Sequence, residues 1–231
     1  MKKKRYREAV ANPCHEIHSH IRDTPELRDN TLILVCSDNG PDVGAGSAGP
    51  FRGTKATLFE GGIRSPLVVW GPGLISKDKA GKHNETSVFA AFDLVPSLLA
   101  LTRVAEPHGV KFDGQNLADT LIGGSDASRT EPIFWRRPPD RDMAYGAGPL
   151  PDLAVREGDW KLLCEYDGRE PELYRLSVDP GEATNLAAKN PEVVLRLTKA
   201  VLTWHQSMPA DNGPALAAAP PGKGEIRKRQ K

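Results

Sequence analysis

The apolar run "TLILVC", residues 31–36, passes without a spacer into "SDNG". The run is short, continuous and β-branched at its start, which predicts a strand buried on both faces. Ser37, Asp38, Asn39 and Gly40 all favour turns, so the chain must leave the sheet at once. A buried strand that ends in an acid and an amide restricts the fold sharply. In open α/β sheets, ligands gather outside the carboxyl ends of the strands. A carboxylate oxygen beside an amide oxygen is a hard donor pair, suited to Ca²⁺ or Mg²⁺. On their own, these four residues describe only a turn.

The next segment adds a cation. Residues 37–66 read mostly as loop, and within it "RGTKATLFEGG" carries Lys55 among glycines and small residues. Glycines permit a close approach of backbone to ligand. A lysine held beside a metal-bound anion neutralises its oxygens. Glu60 and Arg64 read as structural ion-pair formers around the loop. Asp38, Asn39 and Lys55 together would suit a tetrahedral oxyanion, a sulfate or a phosphate.

The remaining elements follow from pattern. "NPCHEIHSHIR", 12–22, predicts a helix capped by Asn12 and opened by Pro13. "PLVVWGPG", 66–73, predicts a second buried strand. "SVFAAFDLVPSLLALT", 87–102, predicts a long apolar helix that Pro96 kinks or restarts. "EPIFWRR", 131–137, reads as a strand. In 153–166, two strand-like runs meet at Glu157-Gly158-Asp159, a hairpin signal. A further strand lies in 172–182. In "NPEVVLRLTKAVLTWHQSM", 190–208, Asn190 caps and Pro191 opens a helix with an apolar stripe of Val194, Leu197, Val201, Trp204 and Met208. The order predicts α/β architecture over 1–130, a small α+β subdomain over 131–208 with an antiparallel sheet and a covering helix, and a disordered tail over 209–231.

Charge and cysteine usage narrow the function. The net charge is +1, but both tails are basic and the body between them is acidic, which argues against a nucleic-acid-binding body. The three cysteines form no CxxC pair and no disulfide framework. No run reaches the ~18 apolar residues of a membrane span, and the N-terminus lacks the apolar stretch of a signal peptide. Localisation stays undetermined. His15, His18 and His20 with Cys14 invite a metal reading, but nothing later answers them at zinc spacing; they read as a solvated helix face.

"DNTLILVCSDNG", "GPFRGTKATLFEGGIRSPLVVWGPG", "FDLVPSLLALT", "FDGQNL", "FWRR", "AVREGDWKLL", "ELYRLSVDPGEATNLA" and the closing tryptophan helix stand in one order. That ordered series resembles sulfatases of the arylsulfatase A / N-acetylgalactosamine-6-sulfatase type, from about Tyr6 to about Gly213. The resemblance implies a partial alkaline-phosphatase-like α/β sheet, sulfate-ester hydrolysis at one Ca²⁺, Asp38 and Asn39 as calcium ligands, and Lys55 against the sulfate group. It implies a sulfate-ester small molecule or a sulfated glycan as substrate.

The sequence also departs from that pattern. It contains no Cys/Ser-x-Pro-x-Arg word, whose Cys or Ser becomes formylglycine in the family, and no Asp-Asp pair. The match starts where a typical member is past its middle. The expectation is therefore a C-terminal half, inactive alone, with weak calcium affinity and an unpaired apolar strand edge. Two alternatives stand beside it. One is a non-catalytic remnant or split subunit completed by an N-terminal half. The other is a related phosphoesterase of the same superfamily, for which no Asp-x-His set of a second metal lies beside Asp38.

Overall fold

A computed structural model describes residues 14–137 and 150–209. The basic N-terminal tail, Asn12, Pro13 and the tail beyond 209 lie outside the described residues. The chain is helical over 14–23 (α1), followed by the single turn α2, Pro25–Arg28. Strand β1, Ile33–Cys36, pairs antiparallel with β2, Leu67–Trp70, in the register Ile33 to Trp70 and Cys36 to Leu67. Between them lie the long loop and a four-residue helix α3, Glu60–Ile63.

The expectation that β1 is buried on both faces is corrected. Val35 is 53% and Val68 59% exposed. Among the described residues the sheet has only these two strands, and a ribbon that narrow cannot cover its own outer face. Trp70 is the shielded end, with His18 of α1 edge-on to its ring at 5.0 Å.

The predicted helix over 87–102 is shorter. A 3₁₀ turn, Ala91–Asp93, leads into α4, Leu94–Thr102. The backbone of Val88 instead pairs with the 128–129 segment: its N–H donates to Ser128 Oγ and its carbonyl accepts from the Arg129 N–H. Pro96 therefore falls in the first turn of α4, where a missing N–H costs nothing. Asp93 is fully buried and holds this corner. Its carboxylate accepts from the backbone of Ala90 and Gln115, and it pairs with Arg129. The short helix α5, Ala118–Leu121, packs on α4.

The second sheet runs β3–β4–β5–β6, all antiparallel: Ile133–Arg136, Leu153–Glu157, Trp160–Cys164 and Glu172–Arg175. The hairpin turns at Gly158, where φ is +55°. Helix α6, Pro191–Ser207, follows a 3₁₀ turn and covers one face. Leu197 and Val201 from its stripe are completely buried against Leu153, Val155, Leu162, Cys164 and Leu173. Trp204 stacks on Phe134 at 5.3 Å. Two details of the predicted helix differ. Asn190 stands at the N-cap position, but its side chain makes no capping bond; its amide donates backwards to the Leu186 carbonyl. Met208 lies just past the last turn.

The other face of the same sheet is buried too. Ala154, Leu163, Tyr174 and Leu176 pack there against Leu58 and Phe59. The loop that the sequence places after β1 thus forms a layer on the C-terminal sheet. Strand alternation separates the two contacts: 153, 155 and 162 face the helix, while 154, 161 and 163 face the loop.

Candidate functional site

Strand β1 ends at Cys36, and Ser37, Asp38 and Asn39 follow directly. Ser65 fastens this strand end. Its Oγ accepts from the Ser37 N–H at 2.9 Å and donates to the Ser37 carbonyl at 2.8 Å. Asp38 is exposed and Asn39 half-buried. Gly40 is buried and donates its N–H to the Gly62 carbonyl at 2.8 Å. A Cβ on Gly40 would overlap the Gly61 carbonyl, so only glycine fits where the strand end meets α3.

The same contact surface receives the lysine. Lys55 donates its N–H to the Pro41 carbonyl at 3.0 Å. It occupies the first central position of a turn closed by the Thr57 N–H to the Thr54 carbonyl, also 3.0 Å, and reinforced by Thr57 Oγ to the same carbonyl. Ala56, the second central residue, has φ +72°. That is a type II pattern, where glycine is the usual occupant. The backbone of Lys55 is thus held two residues beyond Asn39. The structure brings Lys55 to the Asp38–Asn39 end of the strand through the hydrogen bonds of Gly40 and Lys55.

Calcium is implied by the resemblance. Asp38 and Asn39 offer a carboxylate and an amide oxygen, hard donors of the kind that cation takes six to eight of. Among the described residues no group of three or more His, Cys, Asp or Glu could hold a metal ion. The two residues fit a share of such a shell, not the whole of it.

Sequence reasoning missed what anchors this loop. Glu60 is buried, as are Lys161 on β5 and Glu182 in the turn after β6. Lys161 Nζ lies 2.9 Å from Glu60 Oε1 and 2.8 Å from Glu182 Oε1. Glu182 Oε2 accepts the Glu60 backbone N–H at 2.7 Å. Arg64 and Arg156 approach Glu60 Oε2 at 3.8 and 3.9 Å. Burial drives the Glu182 carboxyl above the ordinary glutamate range, against the pull of Lys161; burial also lowers the Arg156 guanidinium. At the other end of the segment Arg52 stacks over Phe59 at 3.8 Å. It donates to Tyr174 Oη at 2.8 Å and Glu172 Oε2 at 3.0 Å. The expected Glu60–Arg64 pairing is present, but Lys161 is the closer partner. One signal was available: a lysine inside the apolar run "WKLLC" needs a buried counter-charge.

A family model described as Sulfatase matches residues 16–104. N-acetylgalactosamine-6-O-sulfatase of Bacteroides thetaiotaomicron is 30% identical over 77% of this chain and 37% of its own length. N-acetylgalactosamine-6-sulfatase of the dog, Canis lupus familiaris, is 35% identical over 97% of this chain and 49% of its own. A solved structure concerned with metabolism of multiple glycosaminoglycans by Bacteroides thetaiotaomicron superposes with TM-score 0.63 at 27% identity. It covers 81% of this chain and 41% of that one. The chain therefore spans between about a third and a half of the length of the relatives it matches. The α/β architecture with its antiparallel sheets is a partial alkaline-phosphatase-like fold. The family match runs through Asp38, Asn39 and Lys55, and the relatives align well beyond it, so this chain belongs to the sulfatase family.

Proposed function

We propose that this chain takes part in hydrolysis of sulfate esters by holding the sulfate group at the mouth of β1. The observation that carries this reading is the pair of backbone bonds from Gly40 to Gly62 and from Lys55 to Pro41. They hold the backbone of a lysine close to the segment that carries an acid and an amide at a strand's carboxyl end, which supports the reading. Asp38 and Asn39 would contribute oxygens to Ca²⁺, which when bound supplies positive charge against the sulfate oxygens. Lys55 would bind a further sulfate oxygen and offset charge as the ester bond breaks. The substrate class we favour is a sulfated sugar, because relatives at 30% and 35% identity are named for N-acetylgalactosamine 6-sulfate.

The 231 residues contain no Cys/Ser-x-Pro-x-Arg word, so formylglycine chemistry at this site needs residues that they do not include. We infer that these residues bind sulfate without turning it over. The test is calorimetric titration of the polypeptide with inorganic sulfate and calcium, together with a sulfatase assay on N-acetylgalactosamine 6-sulfate. Calcium-dependent sulfate binding without turnover is expected. Absence of sulfate binding would sink the reading, and turnover would sink its non-catalytic part. If a polypeptide bearing the missing nucleophile restores turnover, the split-enzyme form is favoured over a non-catalytic remnant. A matched phosphate ester separates sulfatase from phosphoesterase.

A further inference from the structure

Glu60, Lys161 and Glu182 have 2%, 0% and 1% of their surfaces exposed. Burying three charges is costly, and apolar residues of similar volume commonly serve stability as well. The cluster therefore calls for a role other than holding the chain folded. Its connections suggest one. Glu60 belongs to the segment that carries Lys55, whereas Lys161 and Glu182 belong to the C-terminal sheet and the turn that follows it. The cluster is the polar centre of the contact between the two.

We propose that Lys161 and Glu182 are positioning residues for Lys55. They form a buried charge clasp that fixes the 52–62 segment against β1. This inference rests on the reading of Lys55 as the sulfate-holding cation. Lys161 Nζ grips Glu60 Oε1, and Glu182 takes the Glu60 N–H. Two residues later Gly62 presents the carbonyl that Gly40 binds, and Gly61 donates to the Arg52 carbonyl at 2.7 Å, closing the segment on itself. Lys55 rides on that closed loop and meets Pro41. The clasp thus determines where Lys55 sits relative to Asp38 and Asn39 without touching the anion.

A charged clasp also selects one seating. Apolar contacts such as Leu58 and Phe59 on Leu163 and Tyr174 tolerate sliding. An ammonium lying 2.9 and 2.8 Å from two buried carboxylates does not, because a shift lengthens close ion pairs where no water can replace them. Without Lys161 the carboxylates of Glu60 and Glu182 would face each other in the interior, and the segment would have to lift to hydrate them.

Amide hydrogen exchange on the full chain tests this, with inorganic sulfate affinity as the second readout. In Lys161→Met, the Gly40 and Lys55 amides should lose protection at least tenfold while amides of β4, β5 and α6 keep theirs. Sulfate affinity should fall at least tenfold. Parallel loss everywhere would mean a merely structural role and overturn the proposal. If Lys161→Met does not fold, the double variant Lys161→Met/Glu182→Gln decides, since Arg156 and Arg64 remain near Glu60. Fast exchange at Gly40 and Lys55 in that folded variant supports the clasp; wild-type protection there refutes it. Exchange reads the loop directly, so a chain that binds no sulfate but shows the selective loss would fail the functional proposal and keep this one.

Discussion

Lys161 of the C-terminal sheet and Glu60 of the loop after β1 meet at 2.9 Å, although 101 positions separate them in the chain. That contact, buried on both sides, joins the candidate anion site to a layer that carries none of its residues. It makes the small antiparallel sheet the floor on which the Lys55 loop rests, with α6 sealing the opposite face.

Lys55 itself should be dispensable for folding. It is half-buried and its structural contribution is a backbone bond, which Lys55→Ala preserves. We expect a change in stability within roughly 0.5 kcal/mol, read by urea denaturation. Sulfate binding should weaken by about ten- to a hundredfold, the range of one hydrogen bond to a charged group. Unchanged sulfate affinity would remove Lys55 from the site.

Ala56 should behave oppositely. Its φ of +72° puts Cβ against the carbonyl oxygen, a penalty of about 1 kcal/mol for an L-residue. Ala56→Gly relieves it, so the denaturation midpoint should rise. A lower midpoint would show that the alanine conformation is unstrained in this turn.

Glu182 gives the chain a pH dependence of defined sign. Burial raises its folded carboxyl above the ordinary 4.5, so the folded state binds a proton that the unfolded state releases. The associated stability is present in full at acid pH. It declines as pH climbs from about 4.5 through the raised folded value, because the native state then carries an uncomfortable buried anion. Lys161 and Glu60 are the charges facing it. Glu182→Gln should flatten this part of the stability-versus-pH curve. Stability of the two proteins, measured from pH 4 to 8, gives the comparison; identical slopes would show that Glu182 titrates normally.

The three cysteines should separate by reactivity. Cys14 and Cys36 are exposed, whereas Cys164 is buried in the core under α6. Burial lifts its thiol to about 12, and the thiolate is the reactive form. A maleimide at pH 7.5 should modify two thiols in the folded chain and all three in denaturant. Rapid native labelling of Cys164 would mean that α6 opens readily.

Much of the fold was legible along the chain because the signals are local. The hairpin at Gly158 is set by its own turn residue. The stripe of α6 is set by helical spacing, and Leu197 and Val201 land in the core as that spacing requires. The misreadings came from non-local competition. Residues 87–90 are apolar enough for a helix, but Val88 finds a partner in the 128–129 segment. Asn190 is a good cap by type, yet a neighbouring carbonyl takes its amide. The length and apolarity of 31–36 suggested full burial, which depends on how many strands flank it.

By itself, the sequence determined the succession of elements, the acid–amide pair at the end of β1 and the glycine-rich loop bearing Lys55, since each depends on residues within a few positions. Only the tertiary structure decided that this loop lies on the C-terminal sheet and that Lys161 and Glu182 meet its Glu60 there. Charges far apart in the chain meet where folding brings their backbones together, burial then removes water as an alternative partner for Lys161 and Glu182, and no local pattern records which one will be within reach.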